Sequence, residues 1–171
     1  MKNKNLAAAI AVLAIFTLIL GYLNAKDLNK SSGETVGISI ISDGNTITLN
    51  FEEITALNHH EFKAVEDTSG SGPASRKYKG VLLREVLNKA SIDNEAITAA
   101  SKVIVKGLDG YVIALSTDEV MEGKGIYLAF EKNGKPLGNM KNGGSGPFQL
   151  IAVTDSFSQR WCKYVFEVSL E

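Results

Sequence analysis

Three stretches with different hydrophobic and polar patterns make up the chain. Leu6 to Ala25, in the order LAAAIAVLAIFTLILGYLNA, carries no charge and follows Lys2 and Lys4. Asp27 to Glu34 is polar, includes Ser31, Ser32 and Gly33, and has no apolar periodicity, as expected of a tether over residues 26–35. From Val36 onward, short apolar runs alternate with turn residues. Val36–Ser42 and Thr46–Leu49 flank Asp43-Gly44-Asn45, and Lys102–Lys106 and Tyr111–Leu115 flank Gly107-Leu108-Asp109-Gly110, so two hairpins are predicted. His59–Glu66, Ile126–Glu131, Phe148–Val153 and Cys162–Leu170 read as further strands, with Asn133-Gly134-Lys135-Pro136 as a turn.

The helical signals are short. Asn50 with Glu53, and Ser116 with Glu119, have the spacing of reciprocal caps ahead of Ile54 and Val120. Gly80–Ala90 puts Leu83, Val86 and Leu87 on one side of a helix and Arg84, Glu85 and Lys89 on the other. Asp67–Ser75, rich in glycine and serine, predicts a mobile loop without regular structure. After it come Arg76, Lys77 and Lys79 around Tyr78, a basic cluster that reads as a solvated loop edge, with anion binding as the alternative. Many strands with a few short helices give an α+β domain over residues 36–171.

The apolar run changes the expected location. It exceeds the usual core of a cleavable signal and is long enough to cross a bilayer, so residues 1–25 are a membrane anchor or an export signal. Lys2 and Lys4 stay on the cytoplasmic side, which makes the domain extracytoplasmic, anchored through residues 6–25 or secreted after cleavage. Without those two lysines, the 18 basic residues of the chain fall to 16 against 19 acidic ones, and this near-neutral balance excludes a nucleic-acid partner. Cys162 is the sole cysteine, so neither an internal disulfide nor a thiolate metal cluster can form; it reads as a buried structural thiol.

Catalytic groups are sparse. His59 and His60 are the two histidines, and neighbours on a strand point to opposite faces, which argues against a shared metal. Gly143-Gly144-Ser145-Gly146 holds a serine among glycines, but no helix follows to expose a nucleophile. Glycines turn tightly and bring backbone N–H groups close to a ligand. The candidate binding residues are therefore Lys141, Gly143, Gly144, Ser145, Gly146 and Arg160, and the expected ligand is a small anion. No residue is assigned a catalytic or metal-ligating role.

The order of motifs carries a resemblance. Tyr78-Lys79-Gly80-Val81-Leu82-Leu83, then Val105-Lys106-Gly107-Leu108-Asp109-Gly110-Tyr111, then Asn133-Gly134-Lys135-Pro136-Leu137, Gly146-Pro147 and Arg160-Trp161 together resemble the oxidoreductase molybdopterin-binding domain of the sulfite oxidase superfamily. That resemblance implies a sulfite-oxidase-type fold of mixed, mostly antiparallel curved sheets with short helices, and a pocket for a molybdenum–pterin cofactor. Active members of the family hold molybdenum through a cysteine on a strand before the Y-x-G-V-x-L segment, and here Ala64 stands at the matching place. Gly144 and Gln149 occupy the positions of a histidine and an arginine that help hold the pterin, while Pro147 and Arg160 are kept.

The leading expectation is a membrane-tethered or secreted binding or partner module of this fold, without molybdenum–thiolate redox chemistry, taking a small anionic or pterin-like ligand or a protein partner. The alternatives are a molybdopterin-dependent oxidoreductase that holds its cofactor without cysteine, and a purely structural extracellular interaction domain.

Overall fold

A computed structural model describes residues 37–68, 70, 72–122, 125–156 and 158–171. The expected anchor or signal and the tether lie outside the described residues, among which no helix is long and apolar enough to cross a membrane.

The first predicted hairpin forms as β1 (Gly37–Ser42) and β2 (Asn45–Asn50), with Asp43 and Gly44 at positive φ in the turn. Asn50 then caps α1 (Phe51–Thr55): its side chain accepts from the Glu53 N–H, and the Glu53 carboxylate accepts in return from the Asn50 N–H. Strand β3 (His59–Thr68) follows and returns as β4 (Gly72–Leu82), which leads into α2 (Leu83–Lys89). Next come α3 (Asn94–Ala99), β5 (Val103–Gly107), β6 (Val112–Leu115) and α4 (Thr117–Met121). The last strands are β7 (Ile126–Lys132), β8 (Lys135–Pro136), β9 (Gln149–Ala152) and β10 (Val165–Leu170).

Strands form two sheets. One has the order β2-β1-β10-β5-β6, in which β1 and β10 run parallel and the other pairs are antiparallel. The other has the order β3-β4-β7-β8, and β9 also pairs with β7. Because β9 lies against Ile126–Ala129 and β8 against Glu131–Lys132, both occupy the edge of β7 away from β4. The glycine loop is the connection between them.

The main core takes Ile38, Ile40, Val105 and Val168 from the first sheet, Val81, Leu128 and Leu150 from the second, and Leu83, Val86, Leu87 and Ile97 from the helices. Each fully buried aliphatic or Phe side chain of this kind contributes roughly 1.5–3 kcal/mol of burial energy. A smaller cluster of Ala64, Tyr78, Ala129, Leu137, Ile151 and Trp161 involves the other face of the second sheet. A bulge separates the two environments on β7: Gly80 pairs with Ala129 and Lys79 with Glu131, leaving Phe130 as the extra residue, buried in the main core.

Three readings need correction. Of the predicted loop Asp67–Ser75, Asp67 and Thr68 belong to β3 and residues 72–75 to β4, paired through Val65 with Ser75, Glu66 with Ala74 and Asp67 with Pro73. Backbone pairing of two strands outweighs the poor propensities of Gly, Ser and Pro there. The Gly80–Ala90 segment starts as strand and becomes helical at Leu83, because Gly80–Leu82 pairs with β7. Helix α3, capped by the Asp93 side chain on the Ala96 N–H, went unpredicted.

Candidate functional site

The loop between β8 and β9 is closed by its own backbone. Asn139 caps a 3-10 turn over Met140–Asn142 with its side chain on the Asn142 N–H at 3.1 Å, and Gly143 leaves that turn at φ 68. The Gly143 N–H donates to the Met140 carbonyl at 3.1 Å, Gly144 to Asn139 at 2.9 Å, Ser145 to Leu137 at 3.1 Å and Gly146 to Gly138 at 2.7 Å. Tyr164 fastens the far side: its hydroxyl donates to the Gly144 carbonyl and its N–H to that of Ser145. All four amides expected to receive an anion thus donate inside the protein, and in this geometry none is directed at a ligand.

The glycines have a packing cause instead. A Cβ on Gly144 would strike the Leu137 carbonyl and Gly138, and one on Gly146 would sit 2.7 Å from Leu137 Cβ and 2.9 Å from the Gly138 oxygen. Glycine is needed where the loop folds against its own entry strand. Ser145 is buried at the end of the loop, whereas Lys141 is exposed and makes no ion pair among the described residues.

Arg160 does not bond to this loop. It ends a 3-10 turn, Ser158–Arg160, and its guanidinium lies between two carboxylates: Nε donates to Asp155 Oδ2 at 2.8 Å and Nη2 to Glu119 Oε1 at 2.7 Å, with a further bond from Nη2 to Asp155 Oδ1. Donating to Asp155, and next to Glu119, raises the Arg160 pKa and fixes its charge. In return, the Arg160 bond, aided by those from Ser116 and opposed by burial, draws the Glu119 carboxyl down to about 2. One positive group facing two negative ones offers little attraction to an anion. Sequence spacing gave no hint of Asp155 and Glu119 as its partners, because Glu119 also looked fully occupied as a helix cap.

Ala64, which the resemblance sets at the place of a metal-binding cysteine, is buried in the smaller cluster with Tyr78, Ala129, Leu137, Ile151 and Trp161. A row of rings runs along this side of the sheet. Phe62 stacks on Tyr127 at 4.1 Å and on Tyr78 at 5.9 Å between centroids, and Trp161 meets Tyr78 edge-on at 5.7 Å. Trp161 Nε1 donates to the Ala152 carbonyl at 3.3 Å, so the indole is held as well as packed. Beyond the rings, Glu66 accepts from Lys132 Nζ at 3.1 Å and lies 3.7 Å from Arg76 Nε.

These residues do not fit a molybdenum–pterin cofactor. The buried polar atoms of this face without a partner include the Tyr78 hydroxyl and Gln149 Oε1. Burial, and secondarily the Glu66 charge, pushes the Tyr78 phenol pKa up, so it stays protonated and is a poor metal ligand; an amide oxygen is neutral. The one thiol, Cys162, is not in this cluster but buried in the main core, with Sγ 3.8 Å from the Tyr111 carbonyl. Burial raises its pKa to about 12, with a smaller contribution from Asp109. Among the described residues, no three His, Cys, Asp or Glu converge on a point where a metal could sit. His59 and His60 begin β3 as adjacent residues, one exposed and the other half-buried.

A comparison with curated proteins gave no match. Among solved structures, the fold is similar to the sulfane dehydrogenase SoxCD from Paracoccus pantotrophus, with a TM-score of 0.63 and 18% identity over 78% of this chain. The similar region spans 37% of that longer chain. Residues 35–171 match the family model described as the oxidoreductase molybdopterin binding domain, and the chain belongs to that family.

Proposed function

We propose that this protein is a binding or partner module built on the molybdopterin-binding fold, without molybdenum–thiolate redox chemistry of its own. The observation that carries the reading is the environment of Ala64. Where family members present a thiolate, this chain buries a methyl group among Tyr78, Leu137 and Trp161. Two further features support it: the amides of Gly143–Gly146 bond within the protein, and the Arg160 guanidinium faces Asp155 and Glu119. Oxidoreductase chemistry would need a metal or cofactor site, and neither set of groups supplies one.

The same proposal places the domain outside the cytoplasmic membrane, held by residues 6–25, on the ground of the lysines that precede the apolar run. Carbonate-resistant sedimentation of the full chain with membranes is the expected result.

The deciding experiment is expression of the full chain in a host that makes molybdopterin, followed by elemental analysis and by acid oxidation to release any fluorescent pterin. Neither molybdenum nor pterin should co-purify. Either one in stoichiometric amount would overturn the proposal in favour of a cofactor held without cysteine.

A further inference from the structure

The second sheet carries a feature unrelated to the loop, to Arg160 or to Ala64. The β3–β4 hairpin is longer than the core beneath it, and the side of the sheet that buries Val81 near its base becomes solvent-facing further out. There the strand register sets two rows side by side. Glu61, Lys79 and Glu131 align across β3, β4 and β7, and next to them Lys63 is directly opposite Lys77. These side chains, with Asn133 of the β7–β8 turn, line an open groove of about 590 Å³.

Its charges are unneutralised at contact distance. Among the described residues, none of Lys63, Lys77 and Lys79 is within salt-bridge distance of a carboxylate, although Glu61 and Glu131 are the register neighbours of Lys79. Lys79 Nζ instead sits 5.9 Å from the centroid of the Phe130 ring. Like charges directly opposite on paired strands destabilise a sheet, so the Lys63–Lys77 pair is a local conflict that a bound anion would relieve. Asn133 keeps the row in place: its side chain accepts from the Lys77 N–H at 3.1 Å, and its own N–H donates to the Lys77 carbonyl at 2.8 Å.

We propose that this groove binds a phosphate ester with a hydroxyl-bearing organic part. An anionic phosphate placed between Lys63 and Lys77 accepts charge-assisted hydrogen bonds from both ammonium groups. Glu61 and Glu131 accept hydrogen bonds from hydroxyls on the remainder of the ligand. An inorganic anion would leave those carboxylates facing its charge, so the flanking row selects for a ligand with donors beyond its phosphate. This assignment is independent of whether molybdenum binds elsewhere in the domain.

The chemistry is shared by a soluble phosphorylated polyol and by a phosphoglycerol lipid headgroup, and one footprinting experiment separates them. The full chain is treated with an amine-acetylating reagent and the rate at each lysine is read by mass spectrometry. Glycerol 3-phosphate is present in one arm, phosphatidylglycerol vesicles in a second and phosphatidylcholine vesicles in a third. Protection at Lys63, Lys77 and Lys79 of roughly threefold or more, with Lys89 and Lys163 unchanged, is expected and should weaken with salt. Protection by glycerol 3-phosphate identifies a soluble ester; protection confined to phosphatidylglycerol vesicles identifies a headgroup. Lys63→Gln with Lys77→Gln should abolish protection at Lys79, whereas Lys63→Arg with Lys77→Arg should retain it. Equal rates at all lysines in every arm, or protection at Lys79 that survives the glutamine pair, would overturn the proposal.

Discussion

Arg160 Nη2 lies 2.7 Å from Glu119 Oε1, joining the turn before Trp161 to the first turn of α4. Its consequence is a pH dependence of stability. The folded-state pKa of Glu119 is about 2, depressed from 4.5, so its contribution is fully present above about pH 4.5 and is lost as pH falls through about 2. The group is partly exposed, and solvent screening limits that contribution to about 1 kcal/mol or less. Urea unfolding measured from neutral pH down to about pH 2 should show this acid limb, reduced in Glu119→Gln, which keeps the helix cap. An acid limb of the same size in the variant would exclude Glu119 as its source.

Gly144→Ala should destabilise the domain by about 2–3 kcal/mol, the typical cost of inserting a methyl group into a fully packed site. Gly143→Ala has open space around its Cβ but a φ of 68, and should cost only about 1–2 kcal/mol. Thermal melts of both variants check the order. A harmless Gly144→Ala would mean that the loop does not close on Leu137 and Gly138.

Tyr78→Phe removes a buried hydroxyl that has no partner while leaving the ring against Phe62 and Trp161. An unsatisfied buried donor costs about 1–3 kcal/mol, so the variant should be as stable as the parent or more so. A loss above about 1 kcal/mol would reveal a hydrogen bond to that hydroxyl.

Cys162 should resist thiol reagents in the folded protein, because it is fully buried and its pKa of about 12 leaves almost no thiolate at neutral pH. Labelling should accelerate only with denaturant, in step with the unfolding transition. Rapid labelling in native buffer would contradict its place in the core.

Much of the fold was legible because its signals are local. Asn50 with Glu53 and Ser116 with Glu119 are caps within one turn, and both form. Asp43-Gly44 supplies the positive φ values that its hairpin turn demands. The β3–β4 extension was hidden because Asp67–Pro73 pairing depends on partners and not on propensity. At the candidate site, the sequence named the glycine loop and Arg160, but not what they touch. Glycine reads the same whether it admits a ligand or a neighbouring carbonyl, and the carboxylates facing Arg160 come from positions 119 and 155. The rows of the β3–β4 groove were visible only as the basic cluster Arg76, Lys77 and Lys79, since register alone sets Lys63 against Lys77.

The parallel pairing of β1 with β10 has a kinetic meaning. Ser39 aligns with Glu167, and β10 then separates β1 from β5 throughout the first sheet. A nascent chain that has emerged as far as β9 has made its glycine loop and both histidines, yet the middle strand of that sheet is still missing. The hairpins β1–β2 and β5–β6 must wait as unjoined pieces with open edges until β10 is made, so this sheet closes only through contacts distant in sequence, which slow folding. Over that interval, the unpaired edges of β1 and β5 are open to pairing with other chains.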